Sequence, residues 1–300
     1  MWFFIIISAY FLFSISALGD KYILKNRIPN PKLYAFYTGL LGILALVFIP
    51  LGFSVPSFSK IIICLLSGFL FVIANFLYYK ALTEFEASRV VPAIGGILPL
   101  FSLSIIYIFF PGEQKLALLH FLAFLILILG SVIITVDQQS FRDRRSLKLA
   151  VVAAFIFAAS LVLAKYAFNI FNSFFSPFIW MRVGGFIAAL VFLLSADVRK
   201  ELSKKQPLFY RSTAIIFLGI QTIGAAGFLL QNWAISLAST IFLPIINAMQ
   251  GIEYAFLLVF TVVLSIINPQ LISEKISKRI IIQKAIAIFL IGFGLFLLTK

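Results

Sequence analysis

The sequence predicts an all-α polytopic membrane protein, with ten transmembrane helices arranged as two inverted five-helix repeats. Three observations lead there. The chain is 63% hydrophobic and 11% charged, with a mean hydropathy of +1.13, whereas a soluble domain is nearer half apolar and a quarter charged. Ten apolar segments follow one another with short polar connections. Four blocks of the first half also recur, in order, in the second.

About 20 apolar residues cross a bilayer as a helix, and the 300 residues hold ten such stretches: 2–24, 33–53, 60–83, 87–110, 116–137, 147–170, 175–195, 209–236, 240–267 and 279–299. The first lacks a basic leader and a small-residue cleavage site, so it reads as a retained span rather than a signal peptide. The gaps carry the turn formers and charges, among them NRIPNPK, PGEQK, DQQSFRDRRS and ADVRKELSKKQP. None of them is long enough for a soluble domain. The fourth span is unusual in carrying Pro92, Gly95, Gly96 and Pro99 within an apolar run. At 100° per residue Pro92, Gly96 and Pro99 fall within about 60° of one another. Such residues persist in a membrane helix where they face protein or a cavity, which suggests hinge or cavity backbone here, together with Pro244 in the ninth span.

The charges set the expected topology. Of 24 Lys and Arg, all but Lys60, Lys115, Lys165, Arg182 and Lys300 lie in or beside the odd-numbered connections. Cytoplasmic loops are the basic ones. The odd-numbered loops are therefore expected in the cytoplasm of a cell membrane, with both termini outside. The net charge of +14 is then a topology signal and an attraction to anionic lipid, not a nucleic-acid footprint. Lys21 and Lys165 read as interfacial anchors.

The repeat divides the chain at 1–143 and 144–300. FLFSISALGDKY pairs with FIFAASLVLAKY, matching Ser16 with Ser160 and Lys21 with Lys165. The second spans match Gly39 with Gly185. A shift of 152 residues puts Pro92 on Pro244. LILGSVIIT pairs with IGFGLFLLT, matching Gly130 with Gly294. Five spans per half is odd, so the halves sit in opposite orientations, as in secondary transporters with a midplane site at the repeat interface.

Several residues resemble a known family. Ala81, Leu82, Ala87, Ser88, Pro99, Gly112 and Glu113 follow its pattern of an Ala-Leu near the end of the third span, a small-residue turn, and a Pro-containing fourth span closed by Gly-Glu. Glu274, Gly292 and Gly294 resemble its connector and last span, and Arg182 its second-span arginine. The chain thus resembles the EamA-type branch of the drug/metabolite transporter superfamily over nearly its whole length. It departs at Phe36, where the first repeat lacks a counterpart of Arg182, and after the ninth span, where no Gly-Glu follows. The resemblance implies ten spans, a cavity lined by spans 3, 4, 8 and 9, and export of amino acids, related metabolites or amphipathic compounds.

Glu253 is the sharpest candidate. It lies about 13 residues from either end of span 9, roughly 20 Å along the helix. A carboxyl there costs about 2.5–3.5 kcal/mol at the hydrocarbon centre, so it should face the interior and have a partner. It would carry a proton, pair with a cation, or act as a packing residue. Asn247, Gln250 and Tyr254 share its helix in a polar stripe. Span 8 offers Gln221, Gln231 and Asn232, and span 3 offers Asn75, Tyr78 and Tyr79. Each amide serves equally well as a substrate contact or as an interhelical hydrogen bond. Arg182, about 10 Å into span 7, would bind a substrate carboxylate, pair with Glu253, or snorkel to the interface. The charges at Lys80, Glu84, Glu86 and Arg89 read as a solvated loop.

Nothing in the sequence supports catalysis. His120 is the one histidine and Cys64 the one cysteine, which leaves no His-based triad, metal cluster or disulfide. There is no GxxxxGK[ST] sequence for direct use of ATP. The expectation is an alternating-access secondary transporter with no cofactor. Its partners would be the lipid bilayer, a small-molecule substrate and a proton or other ion. The alternatives are an uncoupled exchanger of phosphorylated or nucleotide-linked sugars and a non-transporting membrane subunit. Oligomeric state is not readable from the chain.

Overall fold

The computed structural model describes residues 1–85, 87–110, 117–135, 144–171, 173–203, 211–267 and 278–298. All of its regular structure is helical. The helices are α1 (Trp2–Asn26), α2 (Pro31–Leu41), α3 (Phe58–Glu84), α4 (Ala87–Phe109), α5 (Leu118–Thr135), α6 (Arg144–Ile170), α7 (Phe175–Val191), α8 (Ala196–Ser203), α9 (Arg211–Leu237), α10 (Leu243–Ala248), α11 (Gly251–Ile267) and α12 (Lys278–Leu298). Seven helical stretches among the described residues are long and apolar enough to cross a bilayer. Three shorter apolar ones, Ala93–Phe109, Leu118–Gly130 and Ile286–Leu298, accompany them. The chain is a multi-pass helical membrane protein.

The distribution of side-chain size fits that environment. Large apolar residues such as Phe4, Val47, Ile215 and Phe289 stand on the periphery, while Ala153, Ala154, Ala158, Ala188 and Ala189 are fully buried. Helices in lipid gain nothing by hiding leucine from a solvent as apolar as itself, so small residues that let backbones approach occupy the contacts. α3 illustrates this. It lies between α6 and α7. Ser67 and Ser160 each donate to the other's carbonyl at 2.9 Å. Gly68 meets the Met181 carbonyl with no room for a Cβ.

α1 packs on α9, and α5 on α12. In the latter pair the glycines face the opposite helix reciprocally: a Cβ on Gly130 would come within 2.8 Å of Ile291, and one on Gly294 within 2.8 Å of Leu127. The C-terminus of α1 and the N-terminus of α2 lie at one end of the bundle with α8. There Lys32 pairs with Asp197 at 3.1 Å and Arg145 with Glu84 at 2.9 Å. This is the basic end.

Four local expectations change. The second span is not one α-helix: α2 passes into a 3-10 segment, Gly42–Leu51, carrying Pro50. The seventh connection contains a short helix, α8, whose Val198 is buried. Lys21 and Lys165 do not snorkel. The Lys21 Nζ donates to the Leu82 and Phe85 carbonyls at the end of α3. Lys165, 3% exposed, donates to Ser236 and Ala238 at the end of α9. Each lysine satisfies carbonyls that have no partner within their own helix. Finally, α4 runs unbroken through Pro92, Gly95, Gly96 and Pro99, and the interruption falls instead in the ninth segment, between α10 and α11. Glu86, Gly112, Glu113 and Glu274 lie outside the described residues, as do the side chains of Arg89 and Pro92.

Candidate functional site

The interrupted helix builds the site. In an unbroken helix the Gln250 amide would bond the Ile246 carbonyl. It bonds Asn247 instead, at 3.2 Å. The freed Ile246 carbonyl accepts a hydrogen bond from the Tyr10 hydroxyl of α1 at 2.6 Å. Irregular backbone at membrane depth requires such a replacement partner. α11 restarts at Gly251, which puts Glu253 in its first turn, where the helix dipole favours a carboxylate. Glu253 is 4% exposed and its Oε2 accepts from Gln250 Nε2 at 3.0 Å. Asn247 donates to Ser102 of α4 at 2.7 Å. Gly95 lets α4 come this close, since a Cβ there would strike the Tyr254 hydroxyl and the Gln250 side-chain oxygen. Gly95 thus sits at a close helix contact, and Pro244 lies in the first turn of α10, where proline removes no helical bond.

These groups border a cavity of about 560 Å³ that draws on both halves of the chain. Of the residues singled out in the sequence, Asn247, Gln250, Glu253, Arg182, Gln221, Gln231, Asn75, Tyr78 and Tyr79 line it. Asn232 and Tyr254 do not. Asn232 bonds back to Phe228 of its own helix at 2.9 Å. Tyr254 is 2% exposed and packs against Gly95. Gly96 and Pro99 are buried away from the lining.

Arg182 neither pairs with Glu253 nor snorkels. Its guanidinium carbon stands 3.7 Å from the centroid of the Phe228 ring, 5.4 Å from Phe71 and 5.7 Å from Phe178. A desolvated guanidinium over an aromatic face gains about 2 kcal/mol. Its Nε is buried and has no hydrogen-bond partner, and no described carboxylate lies within ion-pair distance.

Sequence reasoning missed the group nearest the basic end. Asp20 of α1 is 5% exposed. Its Oδ1 accepts from the Tyr34 hydroxyl and from Gln221 Nε2 at 3.2 Å, and Gln221 also reaches the Tyr34 oxygen at 3.1 Å. The Tyr34 ring packs edge-on against Tyr79 at 4.7 Å and Phe217 at 5.4 Å. The cluster ties α1, α2, α3 and α9 together. Its neighbours Lys21, Lys25 and Arg27 make Asp20 look like a loop residue. A signal was present all the same, because Phe13, Ser16, Ala17 and Asp20 recur at helical spacing and all line the cavity.

No family model matches the sequence, and no curated protein matches it. Solved structures do share the fold. One crystal structure of a protein superposes with a TM-score of 0.63 over 98% of this chain and 95% of its own, at 17% sequence identity. That likeness concerns the fold alone.

Proposed function

We propose that the chain is a secondary transporter of small metabolites, with ten spans in two inverted five-helix repeats as in the EamA-type family that its sequence resembles. One observation carries the proposal. A cavity of about 560 Å³ lies at the interruption between α10 and α11 and holds ionisable groups of both kinds, the guanidinium of Arg182 and the carboxyls of Asp20 and Glu253. Broken helices whose ends border a shared cavity are how such carriers place a site in the bilayer.

The repeat is supported by residues matched between halves that play matched roles. Lys21 and Lys165 each cap the end of another helix. Gly39 and Gly185 adjoin, a Cβ on the former falling 3.2 Å from the carbonyl of the latter. Gly130 and Gly294 face each other's helices. Alternating access then means that the Tyr34–Asp20–Gln221 cluster closes one end and the rings around Arg182 close the other, in turn. The cavity favours substrates bearing an anionic group that Arg182 reads, amino acids and amphipathic acids among them. A carrier of phosphorylated sugars wants several cations, and Arg182 is the one cation among the described lining residues. An open cavity argues against the subunit alternative.

Purified protein in lipid vesicles tests this. Uptake from a panel of labelled amino and organic acids, with and without a pH gradient, should identify a substrate whose accumulation follows the gradient. Glu253→Gln should remove that dependence. No uptake of any panel member by folded wild-type protein sinks the transporter reading. Gradient dependence that survives Glu253→Gln sinks the coupling role alone.

A further inference from the structure

The cavity is closed at both ends by rings and open at its side. Toward the basic end, Phe217 of α9 packs on Tyr34 and Tyr37 of α2, at 5.4 and 6.2 Å. Toward the other end, Phe228 of α9 packs on Phe71 and Phe178, at 4.4 and 6.0 Å, and Trp233 on Phe174 at 6.2 Å. Between these closures α2 and its 3-10 extension turn away from α9 to pack on α7. Gly39 permits that approach, since a Cβ there would come within 2.8 Å of Ala189.

A window is left. Leu44 and Val47 on one side, and Leu218, Ala225 and Ala226 on the other, line the cavity and are exposed. Leu44 and Val47 are 66% and 72% exposed. Counted from the basic ends of α2 and α9, the middle of the window lies about 24 Å along the second span and about 16 Å along α9, inside a hydrocarbon layer about 30 Å thick. The opening therefore faces acyl chains, not water. Arg182 stands at its inner edge, with Gly42 approaching its backbone and Phe228 under its guanidinium.

We infer that this window admits a single-chain amphiphile from the bilayer, its anionic head on Arg182 and its alkyl chain lying in the gap between α2 and α9. The inference rests on the transport reading and specifies its substrate class. The head must be anionic because Asp20 and Glu253 already hold donors from Tyr34, Gln221 and Gln250, whereas Arg182, the one cation among the described lining residues, has no described carboxylate within ion-pair distance. The chain must be apolar because the rim is leucine, valine and alanine. A ligand that uses both regions gains apolar burial that a water-soluble analogue of the same head cannot.

The test uses the full chain in lipid nanodiscs and two probes with one head, N-acetylglycine and N-dodecanoylglycine. Binding is read from the shift in unfolding temperature, which rises with occupancy of the folded state. The dodecanoyl probe should bind at least tenfold more tightly than N-acetylglycine, and its methyl ester, which enters the membrane but lacks the charge, should not. Ala226→Phe and Ala225→Phe, each adding a ring at an exposed position, should bring the ratio of the two affinities toward one. Equal affinities in wild-type protein overturn the inference, as does equal stabilisation by the methyl ester or a ratio that survives both substitutions. In any of these cases binding of N-acetylglycine leaves the transporter reading standing. Failure of both probes together with no vesicle uptake removes both.

Discussion

Gly95 separates two accounts of the fourth span, one in which its glycines bend and one in which they admit a neighbour. In Gly95→Ala the new Cβ lands on the Tyr254 hydroxyl and 2.6 Å from the Gln250 side-chain oxygen. Neither neighbour yields freely, since Tyr254 is 2% exposed and Gln250 is engaged with Glu253. Overpacking of this kind costs about 1–3 kcal/mol, offset by up to about 1 kcal/mol for alanine over glycine in a helix. The expected net loss is about 1–2 kcal/mol. Tyr254→Phe removes a buried hydroxyl that has no hydrogen-bond partner, so alone it should cost little. Combined with Gly95→Ala it should restore part of the loss, because a ring carbon at 2.8 Å and the Gln250 oxygen remain. A coupling energy of about 1 kcal/mol follows for two residues in such contact. The assay is denaturant unfolding in mixed micelles for the four proteins of the cycle, with vesicle uptake measured alongside. A hinge at Gly95 gives a different pattern: slowed uptake, unchanged stability and no rescue by Tyr254→Phe. That pattern would refute the contact argument.

Two further perturbations address the ends of the bundle. Tyr34→Phe leaves Asp20 with Gln221 as its remaining donor from the cluster and should destabilise the protein by about 1–3 kcal/mol. Asp20→Asn should then cost much less in the Tyr34→Phe background than in wild type, and equal costs in the two would show that the residues do not act as a unit. Lys165→Met withdraws the ammonium from the Ser236 and Ala238 carbonyls and should cost about 1–3 kcal/mol. Amide exchange should quicken over the last turn of α9, and exchange unchanged there would deny the lysine its capping role.

Much of the site was legible from the sequence because hydrocarbon penalises polar groups so heavily. Glu253, Gln250, Asn247 and Gln221 stood out in apolar runs and do line the cavity. Asn232 and Tyr254 misled for a common reason: each is the chain neighbour of a lining residue, Gln231 or Glu253, and one step of 100° turns it onto a packed face at the same depth. Asn232 is buried there and bonds back to Phe228, and Tyr254 packs against Gly95. The prolines and glycines of the fourth span do not coincide with the break. They mark where a helix tolerates a break, while the break itself forms where a replacement donor exists, and Tyr10 supplies one at Ile246.

The sequence by itself determined that the chain is a multi-pass helical membrane protein, because the transfer energy of some 20 consecutive apolar residues dominates every other local term. It also pointed to the residues that such an environment makes costly. Only the tertiary structure decided that Arg182 rests on rings rather than on Glu253, that Asp20 belongs to the cavity, and that the second span packs on α7. Those outcomes depend on which small residues let which helices touch. Gly39 against Ala189 and Gly95 against Tyr254 are contacts between segments far apart in the chain, invisible to any pattern read along it.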